Sequence, residues 1–458
     1  MTTALPPLKT ELRQFLSIAI PLSAAYLAEY AMFITTKMVV GKLGYNELAA
    51  VGIAGDLSFE VLVILMALLS VVGVLVAQAS GAGKHEELGQ SVRHGIIAAT
   101  LTGIPATAFI WNLDLVLQAT GQEAIVVELA TPYLQGLSGI ALPFLWFAVF
   151  RNFSAALSQT VAVMLITFAA VILNYILTLW LVHGGWGLDP LGLFGAGLAT
   201  SITSWLMFIA LTLHVYIKPA LRGYGVFKGR WKFNPEIFKE IFKLGIPVAA
   251  LTLMEAGLFI ATSILSGVIG AKTLAAYQVV MSWVGIPFVI SFGFAEATMV
   301  RVAFAAGRQH QQAVRRAGLL GMAIVVGLTL LLVLVPLLLS ETIIQIFINL
   351  DDPGYPDVST LAAQLLIIAA IFQVFDGLQA TAARALRGLK DNIAPLWIAG
   401  FGYWILGIGG GSLLAFKYNL GGVGLWWGLA AGLFVTSTLL FWRFHRFTSR
   451  PVQVGAPR

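Results

Sequence analysis

Residues 20–50 read IPLSAAYLAEYAMFITTKMVVGKLGYNELAA, and residues 246–276 read IPVAALTLMEAGLFIATSILSGVIGAKTLAA. The two stretches align without a gap at an offset of 226, and 13 of the 31 positions are identical. Apolar composition alone gives about 3 to 5 matches in such a window. Glu29 and Glu255 occupy the same position of the repeat. The chain therefore has two related halves, and each half carries an acid at this place.

The composition is that of a membrane protein. Of the 458 residues, 59% are hydrophobic and only 10% are charged, whereas soluble proteins carry about 25% charged residues. The absence of cysteine excludes disulfides, thiol nucleophiles and thiolate metal sites. The net charge of +6 is typical of membrane proteins with basic cytoplasmic loops, so we expect a lipid bilayer and no nucleic acid as partner.

The hydropathy pattern predicts twelve membrane-spanning helices. A membrane helix needs about 20 largely apolar residues, and turns rich in glycine or proline separate stretches of that length. The predicted spans are 13–41, 47–78, 92–118, 125–155, 161–183, 192–218, 240–267, 273–305, 314–338, 358–386, 394–418 and 421–445. We therefore expect an all-α polytopic membrane protein.

The basic residues predict how these helices are oriented. All but four of the 27 Lys and Arg residues belong to the termini and loops of one membrane side. The exceptions are Lys37, Lys42, Lys272 and Lys417. Because basic loops stay in the cytoplasm, we expect a multi-pass protein of a bacterial-type inner membrane with both termini cytoplasmic.

The repeat and the even number of spans predict the domain organisation. Six helices return the chain to its starting side, so the two halves have the same orientation. We predict an N-terminal six-helix lobe over 1–218, a basic cytoplasmic linker over 219–239, a C-terminal six-helix lobe over 240–447 and a disordered tail over 448–458.

Six carboxylates fall inside the predicted spans, where a charge is costly and indicates function. They are Glu29, Asp56, Glu60, Glu255, Glu296 and Asp376. At about 1.5 Å per helical residue, four of them lie near the midplane: Glu29, Glu60, Glu255 and Asp376. Glu296 lies nearer the cytoplasm, and for this residue we favour a structural pairing with Arg301 or another arginine.

Glu255 and Asp376 are the strongest candidates for a coupling site, because no Lys or Arg lies at comparable depth in the second half. Such acids can exchange a proton or bind Na⁺ with help from other oxygens. Phe372 shares a helix face with Asp376, and with Phe259 it is a candidate for lining a substrate cavity. An aromatic ring beside an acid suits an organic cation. The alternative is that the acids only form hydrogen bonds to helix backbone.

Lys37 lies inside the first predicted span and has two interpretations. Its long side chain can extend to the outer interface, or it can pair with a neighbouring acid such as Asp56. The sequence leaves both open, together with a purely structural ion pair between the first two helices.

Several short motifs do not indicate an enzyme or a cofactor. The sequence GAGK over 81–84 lacks the earlier glycine and the final Ser or Thr of a phosphate-binding loop. The six histidines form no metal cluster, so no metal is expected beyond Na⁺ at the two acids. Gly407/Gly411 and Gly424/Gly428 have G-x-x-x-G spacing, which predicts close packing of helices inside the bundle.

Motifs spread over essentially the whole chain resemble the MATE family, the multidrug and toxic compound extrusion antiporters. In the first half they are Ile20-Pro21, GKLG at 41–44, LAA at 48–50, VAQ at 76–78, GAGK at 81–84, Pro143, Arg151, Leu173-Asn174, GAG at 195–197 and Ala199-Thr200. In the second half they are Ile246-Pro247, Glu255, Gly267, Gly270, AGR at 306–308, Asp376, LRG at 386–388 and Pro395. Their order and spacing across twelve spans make the resemblance specific.

The resemblance implies two pseudo-symmetric six-helix lobes that form a V, with a cavity open alternately to either side. It implies a non-enzymatic antiporter, expected to be monomeric, that exports cationic and often aromatic compounds in exchange for Na⁺ or H⁺ without another cofactor. In the NorM-like branch, a glutamate on helix seven and an aspartate on helix ten form a cation site. Glu255 and Asp376 stand at those places.

The chain departs from the family pattern on the first helix. Much of the family has an aspartate there, but residues 33–37 read FITTK. One hypothesis is that Glu29 and Glu60, with Lys37 and Asn174 nearby, take over coupling or gating in the N-terminal lobe. The other, which we favour, leaves coupling to Glu255 and Asp376.

Two other functions remain as alternatives. A lipid-linked sugar or metabolite flippase of the same superfamily would have the same two lobes, but such proteins line their cavity with several basic residues and only Lys37 is available. An intramembrane enzyme would need a catalytic acid pair, for which Glu29 and Glu60 are the only candidates, and no known catalytic motif surrounds them.

Overall fold

The computed structural model describes residues 7–185, 187–227, 233–347 and 355–449. Within these ranges, twelve helices are long and apolar enough to cross a membrane. We number them α1 (Leu8–Val40), α2 (Tyr45–Gly81), α3 (His85–Trp111), α4 (Ala124–Ala156), α5 (Val161–His183), α6 (Gly192–Ile217), α7 (Pro235–Ile269), α8 (Ala271–Gly307), α9 (Gln311–Ile346), α10 (Pro356–Gly388), α11 (Ile393–Lys417) and α12 (Gly421–Ser449). The prediction of an all-α protein with twelve spans is confirmed.

The third helix differs most from its predicted bounds. It begins at His85 instead of near 92 and ends at Trp111, and a separate short helix covers Leu113–Ala119. Glu86 and Glu87 lie in its first turn, where negative charge interacts favourably with the helix dipole. Polar residues can therefore extend a helix beyond its apolar stretch.

The backbone turns repeat between the two halves as the sequence does. Gly83 after α2 and Gln309 after α8, which are 226 residues apart, have left-handed φ values of 73° and 56°. Ser158 after α4 and Lys390 after α10 have left-handed φ values of 58° and 63°. In each turn, a backbone N–H donates to the carbonyl five residues earlier, which is a common way to end a helix.

By their packing, the residues form two compact units. The N-terminal unit consists of the described residues of Ala24–Ala249, and the C-terminal unit consists of those of Met1–Ser23 and Ala250–Arg458. These divisions fall inside α1 and α7, whereas the sequence places the lobe boundary at the linker 219–239. They differ because the first part of α1 packs on α8: the Ser23 hydroxyl donates to the Ile290 carbonyl at 2.9 Å.

The described part of the predicted linker is held on α3. A short helix covers Pro219–Arg222, and α7 already begins at Pro235. Arg93 donates to the carbonyl oxygens of Val226, at 3.0 Å, and of Gly225. His94 accepts a hydrogen bond from the Asn234 backbone N–H at 2.8 Å. Linker residues 228–232 lie outside the described residues, as does the predicted tail beyond Ser449.

The eleventh helix is not a regular α-helix. It is π-helical over Phe401–Gly410 and over Leu413–Lys417. Its glycines pack against α12, where a Cβ on Gly428 would overlap the backbone of Gly411, so the G-x-x-x-G spacing serves internal packing. π-helical turns are frequent at functional sites, and this one carries Tyr403.

Candidate functional site

The C-terminal unit brings the two predicted coupling acids together. Asp376 on α10 is only 5% exposed, and Glu255 on α7 is half-buried. The two carboxylates are close enough for their charges to interact. Two neighbouring acids attract a cation, because bringing in a positive charge relieves their mutual repulsion.

Tyr403 completes this site and was not predicted from the sequence. Its side chain is buried, and it interacts electrostatically with both Glu255 and Asp376. Its hydroxyl has no hydrogen-bond partner among the described residues, so it can donate to a carboxylate or offer an oxygen to a cation. The glycine-rich sequence of α11 was the only signal of its unusual backbone.

Two glutamines lie one helical turn on either side of Asp376. Gln373 and Gln379 are buried. Both amide atoms of Gln373, and the amide oxygen of Gln379, have no hydrogen-bond partner within the described ranges. Buried polar groups almost always have partners, so amides without one are unusual. These two amides are therefore candidates for binding a ligand. The spacing of three residues around Asp376 could have indicated them.

The aromatic residues predicted to line a substrate cavity pack in the hydrophobic core of the C-terminal unit. Phe372 is fully buried. Its ring packs edge-on against Phe259, with centroids 6.2 Å apart, and against Trp426, at 5.6 Å. Phe259 is partly buried against the same core. Phe372 therefore supports the acid-bearing helix and has no accessible surface in this conformation.

Glu296 pairs with arginines, as predicted, although with different ones from the nearest in sequence. Arg384 on α10 donates to it from Nε at 3.1 Å, and Arg387 lies 3.9 Å away. Arg301 instead donates two hydrogen bonds to Glu11, at 2.9 and 2.7 Å. The positive charge of Arg384 also acts on Asp376.

In the N-terminal unit, the repeat acid has a very different neighbour. Glu29 is 4% exposed and accepts hydrogen bonds from Nη1 of Arg151 at 2.5 and 2.6 Å. Arg151 also lies over the ring of Tyr26, 4.5 Å from its centroid. The sequence grouped Arg151 with the cytoplasmic basic residues, but it lies inside α4 and is buried. Long side chains on a helix point toward its N-terminus, which here brings the guanidinium to Glu29.

The comparisons with known proteins identify the family. The sequence profile of the MatE family matches residues 21–180 and 247–412. This chain belongs to the MatE family. A probable multidrug resistance protein NorM of Mesorhizobium japonicum is 35% identical over 440 residues, covering 96% of this chain and 94% of that protein. A multidrug resistance protein NorM of Burkholderia vietnamiensis is 34% identical over 459 residues, covering 100% and 98%.

Solved structures agree with this MatE assignment at the level of the fold. A MATE structure in a bent conformation superposes with a TM-score of 0.86 at 19% identity, over 96% of each chain. The eukaryotic MATE transporter AtDTX14 superposes with a TM-score of 0.83 at 23% identity, over 95% of each chain.

Asn174 of this MatE chain lies in a neutral network near the first helix. Its amide nitrogen donates to the Met32 carbonyl at 3.2 Å and to the Thr36 hydroxyl at 3.0 Å. The Thr203 hydroxyl donates to its amide oxygen at 3.4 Å. All four residues are buried. The network holds α1, α5 and α6 together and contains no titratable group.

Lys37 pairs with Asp56 at 2.6 Å, which is one of its two predicted interpretations. The pair is partly open, with the side chains 31% and 71% exposed. Glu60, one turn further along α2, is half-buried and makes neither a hydrogen bond nor an ion pair with any described residue. Four residues were predicted for coupling or gating in the N-terminal lobe: Glu29, Glu60, Lys37 and Asn174. The structure does not join them in one network.

Proposed function

We propose that this protein is a secondary active multidrug efflux antiporter. It exports organic compounds, mostly cationic and aromatic, in exchange for H⁺ or Na⁺ by alternating access. The observation that carries the proposal is the acid pair of half-buried Glu255 and buried Asp376, beside a Tyr403 hydroxyl that has no hydrogen-bond partner among the described residues. The names of the NorM relatives support the multidrug part of the proposal.

In this mechanism the acid pair binds the coupling cation and the chain needs no other cofactor. Binding of the cation and binding of the drug weaken each other, and this coupling is reciprocal by thermodynamic necessity. Cation binding therefore favours drug release to the outside, and drug binding from the cytoplasm favours cation release. The protein acts as a transporter and not as an enzyme.

The proposed location is a bacterial-type inner membrane, with both termini in the cytoplasm. The distribution of Lys and Arg supports this orientation. We propose a monomer in the lipid bilayer as the working unit, with small organic molecules as its partners.

The test is efflux of a fluorescent lipophilic cation from proteoliposomes under an imposed Na⁺ gradient or pH gradient. We expect one gradient to accelerate efflux in the parent protein and not in Asp376→Asn. Acceleration that persists in Asp376→Asn would contradict the assigned site. If neither gradient has an effect on the parent protein, the antiporter proposal is wrong and the flippase alternative gains support.

A further inference from the structure

We propose that Arg384 is the counter-charge that sets the cation affinity of the acid pair, and that Glu296 limits how much of this charge the pair experiences. Arg384 acts through Asp376 and does not itself touch the transported compound, so it is a positioning residue. The inference rests on the proposed function of Glu255 and Asp376 as the coupling site.

The position of Arg384 is fixed by three contacts. It lies two helical turns after Asp376 on α10, and its side chain extends back toward that residue, as long side chains on a helix do. Its Nη1 donates to the carbonyl of Ala380 at 3.3 Å, and its Nε donates to Glu296 at 3.1 Å. The guanidinium stacks 3.8 Å from the ring centroid of Phe292. These contacts place the guanidinium at the carbonyl of Ala380, the residue one helical turn after Asp376.

Burial strengthens the interaction between the charge of Arg384 and Asp376. Arg384 and Asp376 are both buried, and charges interact more strongly where water is excluded. A guanidinium stays protonated at any physiological pH, so its effect on the site is permanent. The groups whose charges act on Asp376 are Glu255 and Arg384. The same two charges, and that of Asp376, act on Tyr403.

The count of charges in this cluster predicts how many cations it needs. Arg384 and Arg387 stand against three carboxylates, Glu255, Glu296 and Asp376, which leaves one net negative charge. One monovalent cation bound at the acid pair would neutralise this charge. The neighbouring pairs Arg301–Glu11 and Arg443–Asp391 are each neutral within themselves.

Two substitutions change the cluster in opposite directions. Arg384→Gln adds one net negative charge, so the half-saturating concentration of the coupling cation should fall about tenfold. Glu296→Gln removes one negative charge and frees Arg384 to act on Asp376, so the same concentration should rise about tenfold. Arg384→Lys keeps the charge and should stay close to the parent protein.

Arg443→Gln is the matched control for loss of an arginine in the same unit. Arg443 donates to Asp391 at 2.6 and 3.1 Å, and it does not act on Asp376. We expect its half-saturating concentration to equal that of the parent protein. General damage to folding would shift the half-saturating concentration in the same direction in Arg384→Gln and Glu296→Gln. Opposite shifts therefore indicate an effect of charge at the site.

The experiment measures initial efflux of ethidium from proteoliposomes against the concentration of the cation, Na⁺ or H⁺, whose gradient drives it. Each rate is normalised to the folded protein recovered after reconstitution. Opposite shifts for Arg384→Gln and Glu296→Gln, with none for Arg443→Gln, are the expected result. If the two variants show no shift, or shifts in the same direction, the inference about Arg384 is wrong. Loss of ion dependence in Asp376→Asn would in that case still support the antiporter. Ion dependence that survives in Asp376→Asn would overturn the antiporter site itself.

Discussion

Glu29 and Glu255 occupy the same position of the repeat, but the two units surround them differently. Arg151 binds Glu29 at 2.5 Å and neutralises its charge. Glu255 instead faces a second acid, Asp376. A buried ion pair holds helices in place, whereas two neighbouring acids favour the binding of a cation. A repeated acid therefore indicates its function only through its neighbours.

The two units also differ in their buried polar side chains. In the N-terminal unit, the hydrogen-bonding atoms of the Asn174 amide are occupied by neighbouring side chains and backbone. In the C-terminal unit, the amide of Gln373 and the hydroxyl of Tyr403 have no partner among the described residues. Satisfied networks stabilise one conformation, and unsatisfied ones can respond to a ligand. We expect the N-terminal network to be structural and the C-terminal one to carry the coupling.

The largest effect on stability should come from Arg151→Met. It leaves Glu29 buried without its counter-charge, which costs about 3–5 kcal/mol. Thermal unfolding of the purified protein in detergent measures the loss. The double variant Glu29→Met with Arg151→Met should recover most of the stability, because no uncompensated charge remains. A double variant as unstable as the single one would contradict a structural ion pair.

Asn174→Leu should have the next largest effect. The substitution removes the hydrogen bonds that the Asn174 amide makes in this network, and each buried hydrogen bond contributes about 0.5–1.5 kcal/mol. The half-saturating concentration of the coupling cation should not change, because the network contains no titratable group. A shift in that concentration would show that the N-terminal unit takes part in coupling.

Lys37→Met should have a smaller effect. The ion pair with Asp56 is partly open to solvent, and such pairs contribute about 0–1 kcal/mol. We expect thermal stability close to that of the parent protein, with gradient-driven efflux retained. Loss of efflux in a stable Lys37→Met variant would instead assign a gating role to this residue.

Gln373→Leu should have the smallest effect on stability and is the counterpart of Asn174→Leu. Because the Gln373 amide makes no hydrogen bond to the described residues, removing it breaks none, and stability should not fall. The half-saturating cation concentration should rise, since an oxygen beside the acids is lost. A stability loss as large as that of Asn174→Leu would contradict the distinction between the two networks.

The sequence predicted the helices and the acids well because both depend on local or repeated patterns. Runs of about 20 apolar residues specify spans regardless of tertiary context. Glu255 and Asp376 were found from their depth and from the family resemblance. The bounds of α3 were less accurate, because its first turn is polar and lies outside the apolar stretch.

The partners of the charged residues were harder to predict because they depend on packing between distant helices. Arg151 lies near the C-terminal end of α4, and the direction of its side chain brings it to Glu29. Arg384 was likewise grouped with the basic loops, although it pairs with Glu296 on another helix. Phe372 shares a helix face with Asp376, but packing by Trp426 removes it from any surface.

The most direct test compares Glu255→Gln with Glu29→Gln, the same isosteric change at the two repeat positions. Gradient-driven efflux of a fluorescent lipophilic cation is measured in proteoliposomes and normalised to the folded protein recovered. We predict that Glu255→Gln loses its response to the gradient, whereas Glu29→Gln keeps the response and the half-saturating cation concentration of the parent protein. A folded Glu29→Gln variant that loses the response, or a Glu255→Gln variant that keeps it, would contradict the account.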